Sequence, residues 1–159
     1  MVSARSPLGT IPPVPTLQFE TTLAAPLAKV WAFFNDPANL PLLSPPDASV
    51  RLESADTPMR EGARQTITAN VPFRGRVTWV AHIVEHRPPH PVVFGEEARF
   101  VDVQEQGPFA SWRHEHDFEA VDARTTRVVD RIAYRAPLGP IGWLADLLLI
   151  RRQLRALFA

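Results

Sequence analysis

The sequence predicts an α+β domain in which a curved, seven-stranded antiparallel sheet wraps around a long C-terminal helix, with two short helices after the first strand. Three observations predict it. Period-two alternation of apolar and polar residues recurs between about residues 48 and 136, helical spacing appears in two short pieces before that, and the chain closes on one long apolar stripe at helical spacing. A length of 159 residues, 45% of them hydrophobic, suits one domain with a single core.

Residues 1–15 hold Pro7, Pro12, Pro13 and Pro15, which can neither continue a helix nor donate to a sheet, so this stretch reads as a flexible proline-rich arm ahead of a single domain over 16–159. Leu17, Phe19, Thr21 and Leu23 then alternate with polar neighbours as a strand with one wet face. Pro26 suits the first turn of a helix, where its missing N–H would have no partner anyway. Leu27, Val30, Trp31 and Phe34 follow at helical spacing up to Asn35-Asp36-Pro37, and a second short helical piece spans 38–43. Strands are expected at 50–54, 63–71, 73–85, 92–104, 109–121 and 124–136, with Pro and Gly turn signals between them. Connections this short imply an antiparallel meander. From Gly139-Pro140 onward, Trp143, Leu147, Ile150, Leu154, Leu157 and Phe158 share one helical stripe, the only element long enough to cover the concave face of the sheet.

Charge and composition narrow the function. Seventeen Lys+Arg balance 17 Asp+Glu, so no net charge steers the chain to nucleic acid or an anionic membrane. The absence of cysteine excludes a disulfide scaffold, a thiolate nucleophile and a sulfur-ligated zinc site, and it suits a reducing compartment. No run reaches the ~20 apolar residues of a membrane span; the expectation is a soluble, cytoplasmic protein. A nucleophile elbow, a phosphate-cradling loop and a dinucleotide fingerprint are all missing. Arg127, Arg131 and Arg135 read as a solvated outer face.

The chemistry-bearing residues fall on three neighbouring strands. Alternation puts Trp112, His114, His116 and Phe118 on one face of their strand, Phe100, Asp102 and Gln104 on one face of the strand before, and Asp130, Ile132 and Tyr134 on one face of the strand after. If these apolar-flanked faces all point inward, two carboxyls, two imidazoles, an amide and a phenol converge in apolar surroundings, where they must hydrogen-bond one another. Three readings stay open: a polar network that pins sheet register, recognition of a ligand's polar end, and proton transfer by an Asp–His pair. The His-x-His spacing also points two nitrogens the same way, with Asp102 or Asp130 able to add an oxygen. Strand geometry separates the histidines by roughly 6.5 to 7 Å, however, so they reach one ion only by leaning together, and no metal or cofactor is expected. His82, His86 and His90 fall along a strand end and a proline-rich hairpin, a solvated edge. Leu144 and Leu148, off the helical stripe, are covered by the 41–46 segment, form the mouth of a cavity, or make a homodimer contact.

The pattern Phe100-x-Asp102-x-Gln104-x-x-Gly107-Pro108-Phe109-x-x-Trp112-x-His114-x-His116-x-Phe118 is followed by Asp130, Tyr134, Pro137-Leu138-Gly139, Gly142 and an Arg151-Arg152-x-Leu154 helix. In these residues the chain resembles a bacterial, polyketide cyclase/dehydrase-like branch of the helix-grip superfamily, which includes START lipid-transfer and birch-pollen-allergen-like proteins and is often abbreviated SRPBCC. The resemblance covers roughly residues 16–158 and implies a helix-grip fold with an internal ligand cavity, though no particular reaction. On that reading Trp31, Phe34, Trp79, Trp112, Leu147 and Leu154 wall the cavity, while Asp102, Gln104, His114, His116 and Tyr134 orient the polar end of a small hydrophobic, lipid- or polyketide-like molecule. An enzyme alternative gives His114 or His116 an acid/base role oriented by Asp102 or Asp130, in cyclisation or dehydration. A third possibility is a regulatory module that binds another protein through its outer face or cavity mouth.

Overall fold

A computed structural model describes residues 14–44, 48–71, 75–90, 96–137, 151, 152 and 155. Within them, seven strands form one antiparallel sheet: β1 (Thr16–Leu23), β2 (Arg51–Ala55), β3 (Arg64–Val71), β4 (Gly75–Arg87), β5 (Glu97–Gln106), β6 (Ser111–Asp122) and β7 (Thr125–Arg135). The spatial order β1-β7-β6-β5-β4-β3-β2 is a meander from β2 to β7, with β1 added beside β7. Between β1 and β2 lie helix α1 (Leu27–Phe34) and a 3-10 helix (Pro37–Leu43). The expected α+β architecture is thus present, and most strand limits fall within two residues of expectation. β5 is the exception, because it starts at Glu97 rather than at 92, and residues 91–95 lie outside the described set. The C-terminal helix, with Trp143, Leu144, Leu147, Leu148 and Leu154, and nearly all of the N-terminal arm also lie outside it; Arg151, Arg152 and Arg155 are helical.

Local chemistry explains the two short helices. Pro26 caps α1 in an extended conformation, and Leu27, Val30 and Trp31 bury one face of it against the sheet. Each such burial is worth about 1.5–3 kcal/mol. The Asn35 N–H closes the last turn on the Trp31 carbonyl at 2.8 Å. Asp36 then caps the 3-10 helix by accepting from the Ala38 N–H at 3.0 Å, with Pro37 at the first position.

Two apolar clusters occupy the inner face at opposite ends. One joins Leu27, Val30 and Trp31 to Met59, Ala63, Ile83, Ala98, Phe100, Phe118 and Val128. The other joins Leu17, Trp112, Ile132 and Tyr134, with Phe19, Trp79 and Phe109 packed against them. Trp79, Phe109 and Trp112 meet with ring centroids 4.9 to 5.7 Å apart.

One irregularity re-aims a strand. The β4–β5 register shifts between Ile83 and Glu85, so that Ile83 pairs with Asp102 while Glu85 pairs with Val101 and His86 with Phe100. The bulge carries Ile83 and His86, three residues apart, onto the same inner face. The expectation that His86 lies on a solvated edge is therefore corrected. His86 packs against Trp31 at 5.2 Å and bonds the Asn35 side chain at 2.7 Å, and burial lowers its basicity. His82, by contrast, sits 3.3 Å from Glu105 on the other face.

A histidine–aspartate quartet as the candidate functional site

Register builds the site in two rows across the inner face. The first row runs Phe19, Asp130, His116, Phe100 and His86; the second runs Leu17, Ile132, His114, Asp102 and Ile83. On β5, β6 and β7 each row places one histidine beside one aspartate, His116 by Asp130 and His114 by Asp102, so each acid meets one of these two histidines sideways and the other on the diagonal. Cross-strand and diagonal neighbours of this kind lie within side-chain reach in any antiparallel sheet; here all four groups use it.

The result is a closed quartet. His114 Nε2 lies 3.1 Å from Asp130 Oδ1, and His116 Nε2 lies 3.3 Å from Asp102 Oδ2. The remaining nitrogens face the opposite acids, with His116 Nδ1 2.8 Å from Asp130 Oδ1 and His114 Nδ1 3.9 Å from Asp102 Oδ2. The 2.8 Å approach is an ion-pair contact off the ring's hydrogen-bonding direction, and among the described residues the buried His116 Nδ1 has no directed hydrogen bond. The two imidazoles touch, with centroids 3.7 Å apart and a 41° tilt. Phe100 stacks on His116 at 4.1 Å, and Trp112 meets His114 edge-on at 5.9 Å. All four polar side chains are 10–18% exposed.

Burial and neighbouring charge divide the protons unequally. Desolvation disfavours a charged His116, but its hydrogen bond to Asp102 and the close negative charge of Asp102 and Asp130 overcome it and push its pKa up to about 9. His114 goes the other way, because burial and the charge on its neighbour His116 outweigh the same two acids and favour the neutral ring. Asp130 is desolvated too, yet the two histidines hold its carboxyl well below the usual carboxylate range. Near neutral pH the quartet therefore pairs one imidazolium with one neutral imidazole.

The four acid/base candidates, Asp102, His114, His116 and Asp130, come together. The remaining predicted residues separate into the flanking clusters. Trp31 and Phe34 pack on Phe118 at the α1 end, at 5.6 and 5.2 Å; Trp79, Trp112 and Tyr134 lie at the other end. Gln104 closes the β5–β6 hairpin, where its amide donates to the Phe109 carbonyl at 2.8 Å and accepts from the Phe109 N–H at 3.3 Å. Gly107 sits so near that amide that a Cβ there would overlap it. Leu147 and Leu154 lie outside the described residues. Sequence reasoning missed His86 and Asn35, which extend the first row toward α1; only knowledge of the β4 bulge would have revealed them. A metal-binding geometry is also present, since one ligand atom each from Asp102, His114 and His116 lies within 4.8 Å of the others.

Comparison with known proteins agrees with this architecture. The family model described as polyketide cyclase / dehydrase and lipid transport matches residues 15–159. The chain belongs to that family. Among solved structures, a START superfamily protein from Mycobacterium smegmatis aligns with a TM-score of 0.59 at 10% identity, over 89% of this chain and 90% of that one. A Thalictrum norcoclaurine synthase mutant in complex with a transition-state analogue gives 0.59 at 12% identity, covering 90% and 88%. A protein from Thermus thermophilus gives 0.57 at 22%, covering 89% and 88%. At these identities the likeness is one of fold. No curated protein sequence matches the chain. Among the described residues no helix is long and apolar enough to cross a membrane.

Proposed function

We propose that the chain binds a small, mostly hydrophobic molecule of lipid or polyketide type against the inner face of the sheet, with the quartet holding its polar end. The observation that carries this reading is the quartet itself: four converging polar groups set between two aromatic clusters on one face, the mix of apolar wall and few polar anchors that small-molecule sites use. The family's description as cyclase, dehydrase and lipid transport supports it. The reading takes Trp31, Phe34, Trp79, Trp112, Leu147 and Leu154 as walls and adds Gln104 and Tyr134 at the hairpin end. It takes the setting as cytoplasmic, with no nucleic-acid partner, in keeping with zero formal charge. Native mass spectrometry of the purified chain before and after organic extraction tests it. A retained lipid- or polyketide-sized mass that extraction removes is the expected result, and protein that neither retains nor takes up any such molecule overturns it.

A second reading is favoured by one specific contact: two imidazoles in van der Waals touch, each with a carboxyl at both nitrogens. Such a pair can give a proton at one point of a substrate and take one at another, as cyclisation or dehydration of a polyketone requires. On this reading turnover follows a bell-shaped pH profile, and both limbs vanish in His114→Gln and His116→Gln. A profile unchanged in those variants removes the catalytic role and leaves binding alone.

A further inference from the structure

We propose that Asp102 Oδ2, His114 Nδ1 and His116 Nε2 form a binding site for one divalent transition-metal ion, with Asp130 holding both imidazoles from behind. The site stands independently of the hydrophobic ligand. In the sequence, the objection to a metal is that the two histidines start a strand repeat apart and must lean together. In the folded chain they do, with ring centroids 3.7 Å apart.

Distances separate the roles of the two acids. Bonds of about 2.1 Å from a tetrahedral ion put neighbouring ligand atoms about 3.4 Å apart. Asp102 Oδ2 stands 3.3 Å from His116 Nε2 and 3.9 Å from His114 Nδ1, which brackets that edge. One ligand atom from each of the three residues falls within 4.8 Å of the others, so a small turn of the rings closes the set. Asp130 Oδ1 lies at 2.8 and 3.1 Å from the opposite nitrogens, too tight for an intervening ion and right for direct contact.

Proton placement agrees. A metal on His114 Nδ1 leaves that ring's proton on Nε2, which faces Asp130 at 3.1 Å. A metal on His116 Nε2 leaves its proton on Nδ1, the buried nitrogen that has no directed hydrogen bond among the described residues, and Asp130 is again the neighbouring acceptor. One carboxylate thus stands behind both rings, in hydrogen-bond reach of His114 Nε2 and in ion-pair contact with His116 Nδ1, the place carboxylates take behind zinc-bound histidines. Formal charge points the same way: ligation needs both rings neutral, and the formal charges of the two aspartates are then balanced by one divalent ion. Two nitrogens and one oxygen, with no sulfur, suit zinc or ferrous iron better than cuprous copper, and three protein ligands leave a position open for the polar atom of a substrate.

Titration of the tag-free, chelator-stripped full chain with Co2+, followed by Zn2+ displacement, tests the site without any organic ligand. One ion per chain with the visible bands of a low-coordinate cobalt centre is expected. Asp102→Asn, which preserves shape, should weaken binding by about 100-fold or more, Asp130→Asn by about 10- to 100-fold, and His90→Gln not at all. Circular dichroism checks that each variant is folded, and zinc should raise the melting temperature of the parent chain but not of Asp102→Asn. Failure of the parent chain to bind one equivalent of Co2+, or binding that Asp102→Asn leaves intact, overturns the proposal. Neither result bears on retention of a hydrophobic molecule, so the two readings fail separately.

Discussion

Strands β5, β6 and β7 carry charged groups on both faces, and the two faces solve the problem of holding them in opposite ways. Inside, four groups close on one another: each histidine has two acids, each acid two histidines, and apolar clusters lie at either end. Outside, Arg99 is shared among Glu85, Glu115 and Asp117 at 3.2, 2.9 and 2.5 Å, Asp117 also meets Arg131, and Arg127 meets Glu119 and Glu20. Val101 and Val129, on the same outer face as this network, are buried. Partial desolvation works against a charged Arg99, and its three acids overcome it. The lesson is one of redundancy. An outer charge that loses a partner keeps another or turns to solvent, whereas an inner charge that loses a partner stays buried beside what is left.

The largest contrast should come from matched deletions. Asp130→Ala leaves the imidazolium of His116 with only Asp102 and should destabilise the fold by about 3–5 kcal/mol, the usual penalty for breaking a buried pair. Asp117→Ala on the outer face should cost about 1 kcal/mol. Urea unfolding of the two variants reads the difference, and equal losses would erase the distinction between the faces.

Next is pH. His116 binds its proton more tightly when folded than unfolded, so its contribution is complete below its ordinary pKa of 6.5 and is lost as pH rises toward about 9. His114 has the reverse sign: it is neutral when folded, so stability falls as pH drops below 6.5 and the unfolded ring takes up a proton. Asp130 adds a further loss at lower pH, beginning near its ordinary value of 3.8. Thermal melts in the presence of chelator should therefore peak near pH 6.5, and His116→Gln should flatten the alkaline limb. A parent chain whose stability is level from pH 6.5 to 9 contradicts the closed arrangement of the inner face.

A smaller effect sharpens how the inner face is bounded. Gly107→Ala pushes a Cβ into the amide of Gln104, which is held at both ends by Phe109, and should cost about 1–3 kcal/mol as overpacking. The pH maximum should stay in place, because the quartet is untouched. Smallest of all is Arg127→Ala on the exposed outer rim. Its effect on the urea midpoint should be slight at low salt and vanish at 1 M, where screening acts over about 3 Å.

Much of this was legible because strand alternation is a hard rule. Once Trp112 and Phe118 are taken as inward, His114 and His116 must be inward too, and the same parity selects Asp102 and Asp130 on the adjoining strands. Turn residues between strands fixed the meander. What alternation cannot give is relative register, so the diagonal pairing of each acid with the far histidine emerges only from the ladder. Gln104 shows a second limit: its inward parity is compatible with a ligand, and only the coordinates reveal that its amide also bonds the Phe109 backbone. His86 shows a third, since a bulge has no signature in the composition of 83–86 and reverses the parity of everything after it.

That reversal has a consequence for how this sequence is to be compared with others. Along β4 the inward residues are odd-numbered up to Ile83 and even-numbered at His86, so the strand is read in two frames that meet at residues 84 and 85. A relative one residue shorter here could keep a histidine beneath its tryptophan with an unbroken ladder, yet a gapless alignment would set that histidine against Glu85 and score the contact as lost. A relative of equal length whose ladder runs straight through would turn the equivalent of Glu85 toward α1, although the same alignment would score the contact as kept. Whether the Asn35–His86 pair persists among relatives is therefore a question of strand length as much as of residue identity.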